Sequence, residues 1–221
     1  MKFKHWWKNF IQQEILKEIN SSINGPIQII KVFDKPRMMI GGMIQSGGMV
    51  RKIWEKAINK VVDENIEVKN ALIIGLGCGN CAFEIQKNFP KAKITGVEID
   101  KHVIDSAKCF FDLTKVKNLK ISIDDGVLFV NKKIKSKLKE KFDLIIVDVF
   151  LGREMPKSFK TKKFFLNLNK LMTKDGVVVI NHLFFKKYKV QVKKMIKDLD
   201  RVFGTIKLQR TASNLLIFSF K

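Results

Sequence analysis

Cysteine and proline are scarce here, three and four in 221 residues, and no apolar run is long. An odd, small cysteine count gives no disulfide framework and suits a reducing compartment. The longest apolar stretch, Phe142 to Leu151, is interrupted by Asp143 and Asp148, so nothing approaches the roughly 20 residues that a membrane-spanning helix needs. Gln12, Gln13 and Glu14 occupy the place of a signal peptide's apolar segment. A cytoplasmic location without membrane insertion is the expectation. Arginine is also sparse, with Arg37, Arg51, Arg153, Arg201 and Arg210 among 43 cations. Groove and phosphate readers favour the bidentate guanidinium. Lysine spread along a chain rich in Ile, Asn and Phe fits a solvated surface and an AT-rich coding bias. Nucleic-acid binding is therefore not favoured, despite a formal charge of +22.

With 46% hydrophobic residues, the chain can build one α/β core with a small appendage. Phe3, Trp6, Trp7, Phe10, Ile11, Ile15 and Ile19 recur at helical steps, which predicts an amphipathic helix over 2–19 packed on its own domain. Two β-rich runs, Ile27–Phe33 and Arg37–Ile44, flank Asp34-Lys35-Pro36 and read as a hairpin. After Gly47-Gly48 comes a helix near 50–62. Residues 1–48 thus form an N-terminal helix and β-hairpin, and 49–221 the main domain.

In that domain apolar strands at 71–74, 93–99, 119–123, 142–149 and 177–181 alternate with helices near 81–88, 101–111, 126–138 and 161–172. This is the pattern of a doubly wound parallel sheet. A basic helix at 186–199 then precedes strands 204–208 and 215–220, close enough to pair. Five alternating strands plus a terminal antiparallel pair give a Rossmann-like seven-stranded sheet of the class I methyltransferase type.

The candidate chemistry lies at the strands' carboxyl ends, where open α/β sheets bind ligands. Strand 71–74 runs into Gly75-Leu76-Gly77-Cys78-Gly79, a loop that lets backbone approach a nucleotide. Glu98 ends the next strand about 20 residues on, where a carboxylate can accept ribose hydroxyls. Asp125, in Asp124-Asp125-Gly126, can accept an adenine amino group, and Asp148 ends the fourth strand. Each alone reads equally as a turn former or helix cap; together they point to an adenosyl site. Cys78-Gly79-Asn80-Cys81 has redox spacing, but its first cysteine sits between loop glycines that the nucleotide reading already explains. The cysteines and histidines show no zinc-site spacing.

Met43-Ile44-Gln45, Ile74–Gly79, Gly96-Val97-Glu98-Ile99-Asp100, Asp124-Asp125-Gly126 and Phe142–Asp148 resemble, in order and spacing, the spermidine synthase superfamily. The resemblance spans about 27–181. It implies binding of S-adenosylmethionine or its decarboxylated form by Gly75, Gly77, Gly79, Glu98, Ile99, Asp124, Asp125 and Gly126. Gln45 would lie over the sulfonium side, and Asp148 would orient an attacking amine and take its proton. A homodimer is implied too. The chain departs from that family where Cys78 replaces the loop acid that holds the propylamine ammonium. It departs again at Leu151, in the place of the acid that holds the polyamine, and at Trp54-Glu55, in the place of a Tyr-Gln pair. A desolvated ammonium needs a partner. Methyl transfer to an unidentified small-molecule acceptor is therefore expected ahead of aminopropyl transfer, with a non-catalytic binding protein of the same fold as a third reading.

Overall fold

The computed structural model describes residues 14–136, 140–185, 188–211 and 213–221. The main sheet has seven strands: β5 (Asn70–Ile74), β6 (Lys93–Glu98), β7 (Leu119–Ile123), β8 (Phe142–Val147), β9 (Met172–Leu183), β10 (Thr205–Arg210) and β11 (Asn214–Phe220). Their order is β10-β11-β9-β8-β5-β6-β7. The first five are parallel, and β11 inserts antiparallel between β9 and β10. That is the layout expected from the sequence. Strands β5 and β8 are buried on both faces, which is why they read as unbroken apolar runs.

Alternate residues of each strand serve opposite layers. Ala71, Ile73, Leu144 and Ile146 pack with α1 (Gly48–Asp63) and α2 (Asn80–Asn88), and α3 (Lys101–Phe110) adds Ile104 to that layer. Leu72, Ile74, Ile145 and Val147 pack with α4 (Gly126–Lys135), α5 (Lys162–Leu171) and α6 (Tyr188–Asp200). No helix among the described residues is long and apolar enough to cross a membrane.

The N-terminal segment corrects one expectation. Residues 14–19 belong to a strand, β1 (Glu14–Ser21), and the rest of the expected helix lies outside the described residues. β1 heads a four-stranded antiparallel sheet with β2 (Gly25–Val32), β3 (Lys35–Ile40) and β4 (Met43–Ile44). Ile15 and Ile19 satisfy a helical step and a strand step alike, and pairing of Ile19 opposite Ile27 decides between them. The hairpin turn also shifts. Phe33 and Asp34 both have positive φ, the two-residue loop that matches strand twist, so Pro36 lies inside β3. Gly41-Gly42, likewise left-handed, separates β4 from β3.

This small sheet sits on the main domain. Ile27, Ile29, Met38 and Ile40 bury against Cys78 of the glycine loop and Val103 of α3. A polar lock accompanies the apolar one. Asp100, 1% exposed, accepts hydrogen bonds from Ser21 Oγ and Asn24 Nδ2 of the β1–β2 turn and, through its other oxygen, caps α3 at the His102 N–H.

Asp100→Ala removes a helix cap and two charge-assisted bonds, so a loss of about 2–4 kcal/mol is expected in urea unfolding. Amide exchange should accelerate selectively over residues 21–30. A loss below 1 kcal/mol with unchanged exchange would mean that the apolar contacts alone hold the sheet.

Candidate active site

Beyond β5 the chain must turn sharply under β8. Gly75 has φ +86°, and a Cβ there would lie 2.2 Å from the Asp148 carbonyl oxygen. No side chain fits, so backbone of the β5 and β8 ends comes into contact at the topological switch point. The Gly75 and Leu76 N–H groups donate to the Val97 carbonyl at 2.9 and 3.1 Å, tying the loop to β6. Gly77 (φ +54°) lines the cavity, and a Cβ would meet nothing there. Gly79 has another task. It is the left-handed residue before α2, abuts Leu113, and lies outside the cavity lining.

Glu98 braces this loop. Its Oε2 accepts the Gly77 N–H at 3.0 Å, while Oε1 accepts those of Ile99 and Asp100 at 2.9 and 3.2 Å. Burial raises its pKa, and the three backbone donors oppose that rise. Three of roughly four lone-pair positions are occupied, which leaves room on Oε2 for one further donor. Asp125 caps α4, its Oδ1 accepting the Val127 and Leu128 N–H groups at 2.8 and 2.9 Å. Asp124 pairs with Lys132 at 2.7 Å. Gln45, Gly75, Gly77, Glu98, Ile99, Asp124, Asp125, Gly126 and Asp148 all line one cavity of about 220 Å³. Nine of the ten sequence-derived residues therefore converge.

Asp148 is a strongly perturbed carboxylate of the cavity. Its Oδ1 accepts Asn181 Nδ2 at 2.8 Å, and the Asn181 Oδ1 accepts Asn214 Nδ2 at 2.9 Å. The buried Trp54 side chain of α1 also favours the charged form of this carboxyl group. Burial pushes the Asp148 pKa up from 3.8 to about 6; the Asn181 bond and Trp54 oppose this, and the negative Glu98 adds to it. Asn181 was missed in the sequence, although it closes the strand expected over 177–181, the same positional signal that exposed Glu98 and Asp148; β9 itself runs on to Leu183. Asn24 of the β1–β2 turn, also lining the cavity, carried no such signal.

A second cavity, of about 380 Å³, opens on the other side of Asp148 and shares Asp148, Gln45, Val50 and Phe150 with the first. Two adjoining cavities thus meet at one carboxylate. The cysteine pair does not compete with this carboxylate. Cys78 and Cys81 are buried, burial pushing the first thiol to about 12 and the second well above its usual value. Such thiols stay protonated and unreactive. No cluster of three or more metal-binding side chains occurs among the described residues.

The fold and site define a class I methyltransferase-like α/β protein. Residues 48–214 match the spermine/spermidine synthase domain, and the chain belongs to that family. It is 34% identical over 122 residues to the polyamine aminopropyltransferase of Clostridium beijerinckii, covering 53% of this chain and 41% of that protein. It is 32% identical over 175 residues to the polyamine aminopropyltransferase of Buchnera aphidicola, covering 76% and 59%. The chain thus spans about half the length of these relatives. A spermidine synthase in complex with the transition-state analogue AdoDATO superposes with a TM-score of 0.75 at 19% identity, covering 93% of this chain and 73% of that one.

These relatives overturn the expectation of methyl transfer to an unidentified acceptor. Cys78 and Leu151 do not decide which bond is broken at sulfur. They bear instead on which cations are held beside the transfer point, because the transferred group comes from the donor.

The raised Asp148 pKa makes a stability prediction. Above pH 6 the folded protein carries a desolvated carboxylate that the unfolded chain solvates freely, and the penalty fades as pH falls through 6 towards 4. Asp148→Asn should therefore raise stability by ~1–3 kcal/mol at pH 7.5, with the gain gone near pH 4. Thermal melts across that range check it; a variant less stable than wild type at pH 7.5 contradicts it.

Proposed function

We propose that the chain is an aminopropyltransferase, moving the aminopropyl group of decarboxylated S-adenosylmethionine to an amine. The observation that carries this reading is the position of Asp148 between two adjoining cavities, one with the glycine loop, Glu98 and Asp125, the other open to an acceptor. The relatives' names support the same chemistry.

In the first cavity the residues suit an adenosyl group. Gly77 leaves space at the loop, the free lone pair of Glu98 Oε2 meets a ribose hydroxyl, and Asp125 meets the adenine amino group. Ile99, Asp124 and Gly126 line the adenine side, and Gln45 lies near the transfer point. The donor supplies a sulfonium-activated methylene carbon. Rate then depends on alignment of the amine with that carbon. Asp148, fixed by Asn181 and Trp54, orients the amine and receives its proton. With a pKa of about 6 it is a better proton acceptor than an ordinary aspartate, while still largely ionised at neutral pH.

The test is incubation with decarboxylated S-adenosylmethionine and an amine panel, followed by mass spectrometry for 5′-methylthioadenosine and the aminopropylated product. Product is expected, with kcat/KM falling as pH drops below about 6. Absence of 5′-methylthioadenosine with every amine would refute the reading. Glu98→Ala should weaken 5′-methylthioadenosine binding by ~1.5–3 kcal/mol, as for lost charge-assisted bonds, measured by titration calorimetry. Unchanged affinity would put the ribose elsewhere.

A further inference from the structure

The second cavity has an unusual charge pattern for a site that would hold a polyamine. Asp148, Asn181 and Asn214, joined by hydrogen bonds, form one part of its wall, and side chains of β4 and α1 form another. Met43, Ile44, Met49, Ile53, Phe150 and Leu183 make its walls apolar. Among the described residues, the charged ones lining it besides Asp148 are Lys52 and Lys56. Every Asp and Glu of the sequence lies among the described residues, so this inventory of acids is complete for the chain.

Met49 and Ile53 are four residues apart, as are Lys52 and Lys56, and each lysine is three from one of that apolar pair, so the four share one face of α1. Neither lysine forms an ion pair among the described residues, whereas Glu55, between them in sequence, turns to Lys87 of α2 at 3.7 Å. The acid of this helix therefore serves the α1–α2 contact, and the cations are left at the cavity. Lys52 and Lys56 each lie two residues from Trp54, which lines the first cavity, and so project from a different face of α1. The outcome is a wall with one carboxylate at Asp148, apolar side chains, and two cations set apart from it.

A diamine does not fit that order. Its reacting end would meet Asp148, but its far ammonium would sit in an apolar channel beside like charge, with no carboxylate to compensate its lost hydration. An anionic far end would find the reverse, since two ammonium groups four residues apart can both donate to a carboxylate. Resting on the aminopropyl-transfer reading, we infer that the acceptor is an aliphatic ω-amino acid, with its amine at Asp148 and its carboxylate at Lys52 and Lys56. In the step itself the neutral amine's lone pair forms a bond to the sulfonium-bound methylene. The carbon–sulfur bond breaks with its electron pair going to sulfur. The new secondary ammonium gives up a proton through Asp148 to solvent. The products are an N-(3-aminopropyl) amino acid and 5′-methylthioadenosine, and no oxidant or reductant is needed.

Two measurements on the full chain test this. The first is calorimetric titration of the 5′-methylthioadenosine-saturated protein with 4-aminobutanoate, 5-aminopentanoate and 6-aminohexanoate, each set against the diamine of equal length. At least one amino acid should bind tenfold or more tightly than its diamine. Lys52→Gln combined with Lys56→Gln should abolish that preference and leave 5′-methylthioadenosine affinity unchanged, a check that the fold survives. Preferential diamine binding, or a preference that survives the double substitution, overturns the inference. The second is turnover with decarboxylated S-adenosylmethionine. 5′-Methylthioadenosine formed faster from putrescine than from every amino acid overturns the acceptor assignment alone. If no amine at all releases 5′-methylthioadenosine, the aminopropyl-transfer reading fails, and the binding preference still decides the acceptor class.

Discussion

A carboxylate held out of water where β5 and β8 diverge is the constraint around which the rest of this protein is arranged. Asp148 sits at the switch point because β8 ends beside β5, and the Asp148 N–H donates to the Ile74 carbonyl at 2.8 Å. Nothing larger than glycine at position 75 tolerates that approach. Once there, the carboxylate loses hydration, and its compensation must come from neighbours. Asn181 of β9, held in turn by Asn214 of β11, and Trp54 of α1 provide it. Four separate elements are thereby committed to one functional group. The network is incomplete as a stabiliser, since the pKa still lies well above the ordinary value. A group strained in this way toward protonation is costly to folding and useful to proton transfer.

The small N-terminal sheet depends on the same corner of the main domain. Its apolar face covers Cys78 in the glycine loop, and its β1–β2 turn is locked onto Asp100, two residues past Glu98. Glu98 in turn holds the Asp100 and Gly77 N–H groups. Loop, brace and covering sheet are thus one connected hydrogen-bonded unit, and Asn24 and Gln45 reach the cavity from the covering side. This explains why the loop tolerates a cysteine where the family resemblance implies an acid. Packed beneath Met38, with sulfur–sulfur separation 3.6 Å, the Cys78 side chain is a piece of apolar core between two sheets.

What was legible in the sequence follows from how local each signal is. The alternation of strand and helix, the glycine turn, and the acids ending β6 and β8 are set by backbone rules that act over a few residues, and these appear in the structure where expected. The helical reading of residues 14–19 failed for the complementary reason. Ile15 and Ile19 carry no period of their own that excludes a strand, and the partner that decides, β2, lies eight residues downstream of Ile19. Asn181 was legible in principle from the end of its expected strand, but an amide lacks the conspicuous chemistry of an acid. Gly79 was legible as a glycine and misassigned as to task, because only the packing of Leu113 against it separates a capping residue from a cavity residue.

The acceptor side was the least legible, and the reason is geometric. The first cavity, to which the adenosyl group is assigned in the proposal, is built along successive strand ends of one sheet, so its residues come in a fixed order and spacing. The second cavity is assembled from side chains of β4, α1, the segment after β8, the end of β9 and the start of β11, which share no periodicity. Motif comparison therefore registers a lost acid at Leu151 as a missing anchor and says nothing of the lysines on α1. Sidedness along a helix supplies the missing information. Glu55 and Lys56 are adjacent in sequence yet serve opposite purposes, one neutralising Lys87 across the helix pair, the other left uncompensated at a cavity whose far end has no acid. Charge counted by residue makes this segment merely basic. Resolved by face, it gives the cavity a polarity, with one carboxylate at Asp148 and two cations on α1, and on the acceptor proposed above a polarity of that sign would discriminate by the charge at the end remote from Asp148.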